Sequence, residues 1–214
     1  MTARADATAK TANPKAAQKT ATTETRAKQA AIAEARSVAP DLAARIGSTP
    51  ATTFRGNPDI FGRLVEDHDR HRALFAMVQD TDAKSPQREA LFEELVKEIQ
   101  SHAAAEEQAL WSTVLRNPET TEDARHAVHE HKQIDEMVAD LAARDPATAA
   151  WMTRFGELKE KYLHHIREEE QEQFVAAEEH LSASDISHMK SVFNRRKKAE
   201  KAEAVIEEKI RLKH

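Results

Sequence analysis

Between residues 58 and 181, apolar side chains recur at steps of three and four residues, the spacing of one buried face of a helix. The pattern falls into four segments, which extend to about residues 79, 116, 144 and 181. Three of them open where a capping residue precedes a proline, at Asn57-Pro58, Ser85-Pro86 and Asp145-Pro146. Because the connections are short, neighbouring helices should be antiparallel. The pattern predicts an all-α, antiparallel up-down-up-down four-helix bundle over residues 53–181.

The segments on either side of this bundle lack its apolar periodicity. Residues 1–52 are rich in Ala, Thr and Lys, which predicts a flexible arm, with room for a short helix around Glu24–Ile46 broken by Pro40. Residues 182–214 are highly charged, and Ser182 with Asp185 resembles a capping box. We expect an additional charged C-terminal helix, solvated and packed loosely on the bundle, with a partner-binding helix as the alternative.

Titratable residues interrupt the inward face of every predicted bundle helix. They lie midway along the four faces: His68 and His71, then His102 and Glu106, then His131, then His165 and Glu169. A single histidine on an apolar face is usually an ordinary core residue. Burying so many charged or polar groups without partners would be costly, however, and a shared metal centre accounts for all of them together.

The spacing of these residues reveals an internal repeat with an offset of 63 residues. The offset relates His68 to His131, His102 to His165, and Glu106 to Glu169. Within each half, the histidine and the glutamate four residues later share one helix face. One such pair is a weak motif, but two copies in register predict two half-sites that face each other and form a two-metal centre.

The donor types restrict which metal and which kind of site to expect. Imidazole and carboxylate together suit iron, manganese or zinc. The chain has no cysteine, which excludes thiolate ligands and iron–sulfur clusters. His129-Glu130 begins like the zinc-protease pattern HExxH, but Gln133 stands in the place of the second histidine. The Glu-x-x-His pattern of ferritin-like di-iron sites is also absent from the sequence.

The residues around these positions resemble the hemerythrin-like, or HHE, cation-binding domain. The resemblance covers roughly residues 58–181 and is carried by the segments EDHDRH, HAAAEE, HEHKQI and HHIREEEQEQF. It implies a di-iron centre that binds oxygen or related small molecules, with two bridging carboxylates and a bridging oxo or hydroxo group. By this resemblance Glu106 and Glu169 are the bridges, and the terminal ligands are His68, His102, His131 and His165.

Two departures from the oxygen-carrier pattern point to the broader bacterial-type group of the family. Asp135 stands four residues after His131, where the carrier pattern would have a second histidine. In the fourth helix, the acid follows its histidine by four residues rather than five. Reversible oxygen carriage is therefore not the function that the resemblance favours.

His71 breaks the internal symmetry, because its equivalent in the second half is Ile134. Two irons that prefer about six ligands each need about twelve contacts. Four histidines, two bridging carboxylates and a bridging oxygen leave two positions. If His71 binds, one iron is filled and the other keeps one open position. The alternative is that His71 packs against or behind the ligands.

Residues beside the predicted ligands are expected to have ordinary roles. Glu107, Glu168 and Glu170 should be solvated, and Tyr162 should be a core residue, with a hydrogen bond to the site as its alternative role. We expect the remaining histidines of the bundle and its flank to lie at the surface: His126, His129, His164, His180 and His188.

The charge and the apolar content of the chain restrict its possible binding partners and its cellular compartment. A net charge of −5 implies no general attraction to nucleic acid, and no apolar run is long enough to cross a membrane. No secretory signal is evident, so we expect a cytoplasmic protein. A transit peptide is the alternative interpretation of the basic N-terminus.

The function that the sequence favours is that of a di-iron protein that binds or reacts with oxygen, peroxide or nitric oxide, in stress protection or sensing. Iron handling, catalase- or oxidase-type catalysis and a metal-free interaction module are the alternatives.

Overall fold

The computed structural model describes residues 52–211, together with positions 25–27, 29–30 and 33. Within residues 52–211, five main helices follow one another: α1 (Ile60–Gln79), α2 (Pro86–Glu106), α3 (Thr121–Ala142), α4 (Ala149–Glu168) and α5 (Ala183–Arg211). Two of them continue through π-helical turns: α2 through Glu107–Trp111 into Ser112–Val114, and α4 through Glu169–Gln173 into Phe174–Glu179. The described part of the chain contains no strand, so the predicted all-α class is confirmed.

The three bundle helices predicted to open at a proline begin within three residues of it, and a side chain caps each of them. Asp59 accepts from Gly62 N–H at 3.0 Å, Ser85 from Gln87 N–H at 3.1 Å, and Thr148 from Trp151 N–H at 3.2 Å. The backbone of Asn57 packs against the first turn of α1, where a Cβ at position 62 would lie 2.0 Å from the Asn57 carbonyl oxygen. Glycine is therefore needed at this close approach.

Two apolar clusters make up the core, one on each side of the titratable residues. One joins the end of α1 with the beginning of α2, the end of α3 and the beginning of α4; it includes Phe75, Phe92, Leu141, Trp151 and Phe155. The other joins the opposite ends of the same helices with α5; it includes Phe61, Trp111, Ala127, Phe174 and Phe193. In each cluster the end of one helix lies beside the beginning of the next, which is the contact pattern expected when successive helices run in opposite directions.

The inward face of two helices differs from the prediction by one residue in places. Helical spacing places Val128 on the same face as His131, three residues later, but Val128 is 41% exposed, while Ala127 beside it is fully buried. An uninterrupted α-helix would place Thr113, seven residues after Glu106, on the inward face, but beyond the π-helical turn in α2 it is Val114 that is buried. A π turn contains an extra residue, so the helix beyond it is out of phase with an uninterrupted α-helical pattern.

Helix α5 packs closely on the bundle, so the expectation of loose packing was wrong. It contacts α2 and α1 and buries Met189, Phe193 and Lys197. The predicted capping box is present: Ser182 N–H donates to the Asp185 carboxylate at 3.1 Å, and Asp185 N–H donates to the Ser182 hydroxyl at 3.2 Å. Side chains beyond residue 203 and all of residues 212–214 lie outside the described part of the chain.

The predicted flexible arm at residues 1–52 lies almost wholly outside the described residues. The described positions 25–27, 29–30 and 33 are helical and fall within the short helix predicted there. The proposed segment boundaries at 53, 181 and 182 stay predictions. Among the described residues, no helix combines the length and apolarity required to span a bilayer.

A pair of substitutions tests the packing of α5 and the corrected face of α3. Phe193→Ala should lower the free energy of unfolding by about 3–5 kcal/mol, because it empties a fully buried site in the core. Val128→Ala should change it by less than about 0.5 kcal/mol, because the side chain is exposed. Urea unfolding measures both. Equal losses for the two variants would contradict this arrangement.

Candidate metal centre

Four histidines meet between the two apolar clusters, one from each bundle helix. His68 Nε2 and His102 Nε2 lie 3.2 Å apart, and the rings of His131 and His165 have centroids 4.9 Å apart. All four side chains are at least 95% buried. The pairs correspond to the two halves of the internal repeat, so tertiary packing brings together residues that are 34 positions apart in each half.

Glu106 and Glu169 lie between the two histidine pairs and are fully buried. Glu106 Oε2 lies 3.7 Å from His102 Nε2 and 3.4 Å from His131 Nε2. The two oxygens of Glu169 lie 3.4 Å from His68 Nε2 and 3.4 Å from His165 Nε2. Each carboxylate thus reaches a histidine of both pairs, which is the placement that a bridging ligand requires.

Two groups of potential ligand atoms converge here, each with its atoms within 4.8 Å of one another. We call them the first half (His68, His102, Glu106 and Glu169) and the second half (His131, His165 and Glu169). Glu169 belongs to both groups. The six residues predicted by the repeat are therefore gathered at one place, whereas His71 is not a member of either group.

The polar atoms at the centre are buried and lack hydrogen-bond partners within the described structure. Both carboxylate oxygens of Glu106, both of Glu169, and His131 Nε2 are in this state. Buried oxygen and nitrogen atoms without partners are rare and costly in folded proteins. A bound cation would accept their lone pairs and neutralise the carboxylates, so the donor set fits a metal centre.

The two central carboxylates have opposite pKa shifts. Burial and the nearby charge of Glu106 raise the pKa of Glu169 well above its usual value. Burial also opposes ionisation of Glu106, but its contacts with His131, His102 and His68 outweigh burial and lower its pKa to about 2. Two carboxylates this close cannot both ionise cheaply without a counter-charge, and a metal cation provides one.

The histidines differ in how readily they become neutral ligands. Burial lowers the pKa of His102 and of His165 to about 4, so both imidazoles are neutral at pH 7. Burial also disfavours protonation of His131, but the carboxylates of Glu106 and Glu107 outweigh it and raise its pKa to about 9. Metal binding by His131 at neutral pH must therefore displace a proton.

Each of the four histidines also hydrogen-bonds a carboxylate through its outer nitrogen, Nδ1. The distances are 2.9 Å from His68 to Glu170, 3.2 Å from His102 to Asp67, 2.9 Å from His131 to Glu107 and 2.9 Å from His165 to Glu130. Such contacts fix the ring orientation and direct Nε2 to the centre. They also make the imidazole a more basic ligand.

None of these four acids was predicted from the sequence to support a histidine, although the internal repeat contains a signal for them. Asp67 and Glu130 are related by the offset of 63, and so are Glu107 and Glu170. Glu170 was expected to be solvated, which was wrong, because it is 1% exposed and contacts His68 and Arg72. Glu107 is partly solvated, with 40% of its side chain exposed.

The π-helical turns occur where the paired acids lie. One turn begins at Glu107 and the other at Glu169, so each includes one or both of two consecutive glutamates. The first glutamate of each pair points to the centre, and the second accepts from a histidine on another helix. Isolated π turns occur frequently at functional sites, and here one begins at Glu169 and the other directly after Glu106.

His71 lies beside the first half and is fully buried. Its Nδ1 is 2.6 Å from the Tyr162 hydroxyl, while its Nε2 has no hydrogen-bond partner in the described structure. Burial, followed by the nearby charge of His102, lowers the pKa of His71 well below its usual value. Tyr162 is a core residue as predicted, and it also has the alternative role of binding a histidine at the site.

A small cavity of about 10 Å³ adjoins the second half. Its lining consists of Ile99, His102, Ala103, His131, Ile134, Asp135, Tyr162 and His165. This volume accommodates about one water-sized molecule. Ile134, the counterpart of His71 in the internal repeat, is part of the lining, so the cavity lies where the second half lacks a histidine.

The five histidines expected at the surface are all exposed. Among them, His126 lies 3.5 Å from Glu130 and 3.4 Å from Glu168, and these three residues form a further group of potential ligands. Glu130 already accepts hydrogen bonds from His165 and Lys161. We therefore interpret Glu130 in this group as the hydrogen-bond acceptor that orients His165.

In the part of the chain that the structure describes, helices surround a buried cluster of histidines and glutamates whose donor atoms are placed to hold metal ions, which is the arrangement of a helical cation-binding protein. Comparison with known families identifies it further: the model of the hemerythrin HHE cation-binding domain matches residues 59–177. This match covers more than half of the chain, and the protein belongs to this family. The resemblance seen in the sequence is thereby confirmed.

Two curated relatives were found. A DNA nickase of Nostoc sp. is 25% identical over 128 residues, which cover 59% of this chain and 36% of the relative. An uncharacterized hemerythrin-like protein of Schizosaccharomyces pombe is 31% identical over 107 residues, which cover 49% of this chain and 53% of the relative. The chain therefore spans about a third and about half of the lengths of these relatives. No solved structure matches it.

The raised pKa of His131 predicts how the stability of the metal-free protein depends on pH. A raised pKa in the folded state stabilises the fold fully below the ordinary value of 6.5, and this stabilisation is lost as the pH rises through about 9. Urea unfolding of chelator-treated protein should therefore show stability falling across this interval. His131→Gln should flatten the profile. Identical profiles for the two proteins would contradict the assignment.

Proposed function

We propose that the protein binds two iron ions, with Glu106 and Glu169 as bridges and a bridging oxo or hydroxo group between the metals. The proposed terminal ligands are His68, His102, His131 and His165. The observation that carries this proposal is the set of buried, unpartnered carboxylate oxygens that lie within reach of both histidine pairs. In this arrangement none of the six side chains donates a hydrogen bond to these oxygens, and a cation would accept their lone pairs.

Iron is the proposed metal because of the donor types and the family. Cation binding is a property that the description of the family states. The centre offers imidazole and carboxylate donors without thiolate, a set that suits iron. Bound iron would supply redox chemistry and an open coordination position, while the protein would supply neutral imidazoles, charge compensation and a dry site.

The proposed ligand is a small molecule: oxygen, peroxide or nitric oxide. The cavity beside Ile134 supports this, since its volume of about 10 Å³ excludes a larger organic substrate. Tyr162 and three of the four histidines of the centre, His102, His131 and His165, contribute polar groups to its lining. Binding or reaction of such molecules suits a role in oxidative or nitrosative stress response or sensing, in the cytoplasm.

The alternatives are separated by direct measurements. An iron assay excludes a metal-free interaction module if about two irons are found per chain. Turnover of peroxide or of a reduced substrate distinguishes catalase- or oxidase-type catalysis from binding. Reversal of the oxygenated spectrum under vacuum distinguishes carriage from consumption, and iron loading and release without chemistry on a ligand would indicate iron handling. The nickase activity in the name of the Nostoc relative is not transferred, since the match covers 36% of that protein.

Removal of a bridging carboxylate tests the centre. Glu106→Ala should lose iron and lower the melting temperature of the iron-loaded protein, because metal-binding energy contributes to folding energy at such a site. The offset of 63 predicts the same result for Glu169→Ala. Glu136→Ala is the matched control, since its side chain is 69% exposed on α3. A Glu106→Ala protein with full iron content and unchanged melting would refute the bridging role.

Replacement of His71 tests the asymmetry between the halves. His71→Ile restores the symmetry of the repeat, since the equivalent residue is Ile134. It should keep both irons but open a position in the first half, so azide or nitric oxide should bind with altered affinity and spectrum. Anaerobic ligand titration followed by absorption spectroscopy measures this. A variant with the iron content, spectrum and affinity of the parent would show that His71 is not a ligand.

A further inference from the structure

Helix α5 lies beyond residues 59–177, the part of the chain that the family model covers, yet it reaches the centre. Phe193 packs edge-to-face against the ring of His102, with centroids 5.6 Å apart. One turn further along α5, Lys197 is 4% exposed and donates to Asp67, the residue that accepts from His102 Nδ1. Two α5 side chains therefore constrain one metal-ligand candidate, one through its ring and one through its hydrogen-bond partner.

The connection runs through a buried group of charges between α1, α2 and α5. Lys197 also forms an ion pair with Glu98 at 2.9 Å, and both Asp67 and Glu98 are 2% exposed. Arg63 binds the other oxygen of Asp67 at 2.6 Å, and Lys201 binds the other oxygen of Glu98. Lys197 is the most buried cation of the group, and it lies between two carboxylates that would otherwise face each other across α1 and α2.

Displacement of α5 would disrupt this arrangement. Asp67 would keep Arg63 but lose its buried partner, and the groove of about 300 Å³ that Lys197 helps to line would open to water at Asp67. Uncompensated buried carboxylates are costly. Asp67 would then reorient or hydrate, and the hydrogen bond that directs His102 Nε2 to the centre would weaken. Loss of such outer hydrogen bonds typically weakens metal binding by about 10- to 100-fold.

In the second half of the centre, a different kind of cation compensates the acid that orients the histidine. Glu130, the counterpart of Asp67 at the offset of 63, receives its cation from Lys161. Lys161 belongs to α4, within the bundle itself, and 28% of its side chain is exposed. Water can therefore compensate for part of its charge. Among the described residues, α5 supplies a buried cation to the first half and none to Glu130.

We propose that α5 is a structural component of the first half of the metal centre, and that its docking and metal binding by that half stabilise one another. The inference rests on the proposed metal binding. Because coupling between two sites is reciprocal, metal should hold α5 against the bundle, and release of α5 should weaken metal binding at His102. Lys197 is a positioning residue in this scheme, since it acts through Asp67. Such coupling would let the occupancy of the centre control the exposure of a charged helix.

Lys197→Met tests the coupling, because it removes the charge and keeps an unbranched chain for packing. Lys198→Met is the matched control, since Lys198 is the next residue of α5 and is exposed. Anaerobic titration with ferrous iron should give two strong sites in the parent and in the control. In Lys197→Met, one site should weaken by about 10- to 100-fold while the other remains. Unchanged affinities at both sites would overturn the proposal.

Hydrogen exchange of the α5 amides gives a readout that does not depend on activity, and its first comparison needs only the parent protein. In the parent, iron should slow exchange across Ala183–Arg211 relative to chelator-treated protein. The same protection is expected in Lys161→Met, which leaves α5 untouched, and should be lost in Lys197→Met. Exchange in α5 that does not respond to iron in an iron-binding parent would refute the coupling. A parent that binds no iron would instead refute the proposed function.

Discussion

Compensation of buried charge is the constraint on which the structure depends. Glu106 and Glu169 lie at the middle of the bundle with no exposure to water, among histidines that are also buried. Such a cluster destabilises an apolar core unless a cation lies within it and every outward-facing nitrogen has an acceptor. The chain meets the second requirement with an acid for each histidine, and the proposed irons would meet the first.

Three of these four acids pair in turn with cations, and these differ around the centre. Glu170 pairs with buried Arg72, Glu130 with half-buried Lys161, and Asp67 with Arg63 and Lys197. The charges alternate outward from the centre, from the proposed metal to imidazole-bound carboxylate and then to Arg or Lys. Lys197 makes helix α5 part of this alternation, because it is a cation that pairs with Asp67. This explains why a segment with such a charged sequence packs closely on the bundle.

The two halves are similar in their ligands and unequal in their surroundings. The first half has His71, Tyr162 bound to it, and α5 packed on its outer side. The second half has Ile134 and the small cavity. A duplicated ligand set with unequal neighbours suits a centre in which one metal is held firmly and the other meets an exogenous ligand. This division of roles between the halves belongs to the proposed function.

The sequence by itself determined the helical class, the family and the cluster of six central residues. Helical periodicity and an exact repeat offset are local or one-dimensional signals, so His68 and His131 could be matched without coordinates. The acids that hydrogen-bond the histidines are related by the same offset. However, Glu169 and Glu170 are consecutive, and the sequence pattern does not show which of two adjacent glutamates is buried and which is solvated. Only the π-helical turns and the neighbouring helices decide that difference. The place of α5 was likewise decided by tertiary structure, because the burial of Lys197 depends on two carboxylates that are distant in sequence and adjacent only after the helices pack.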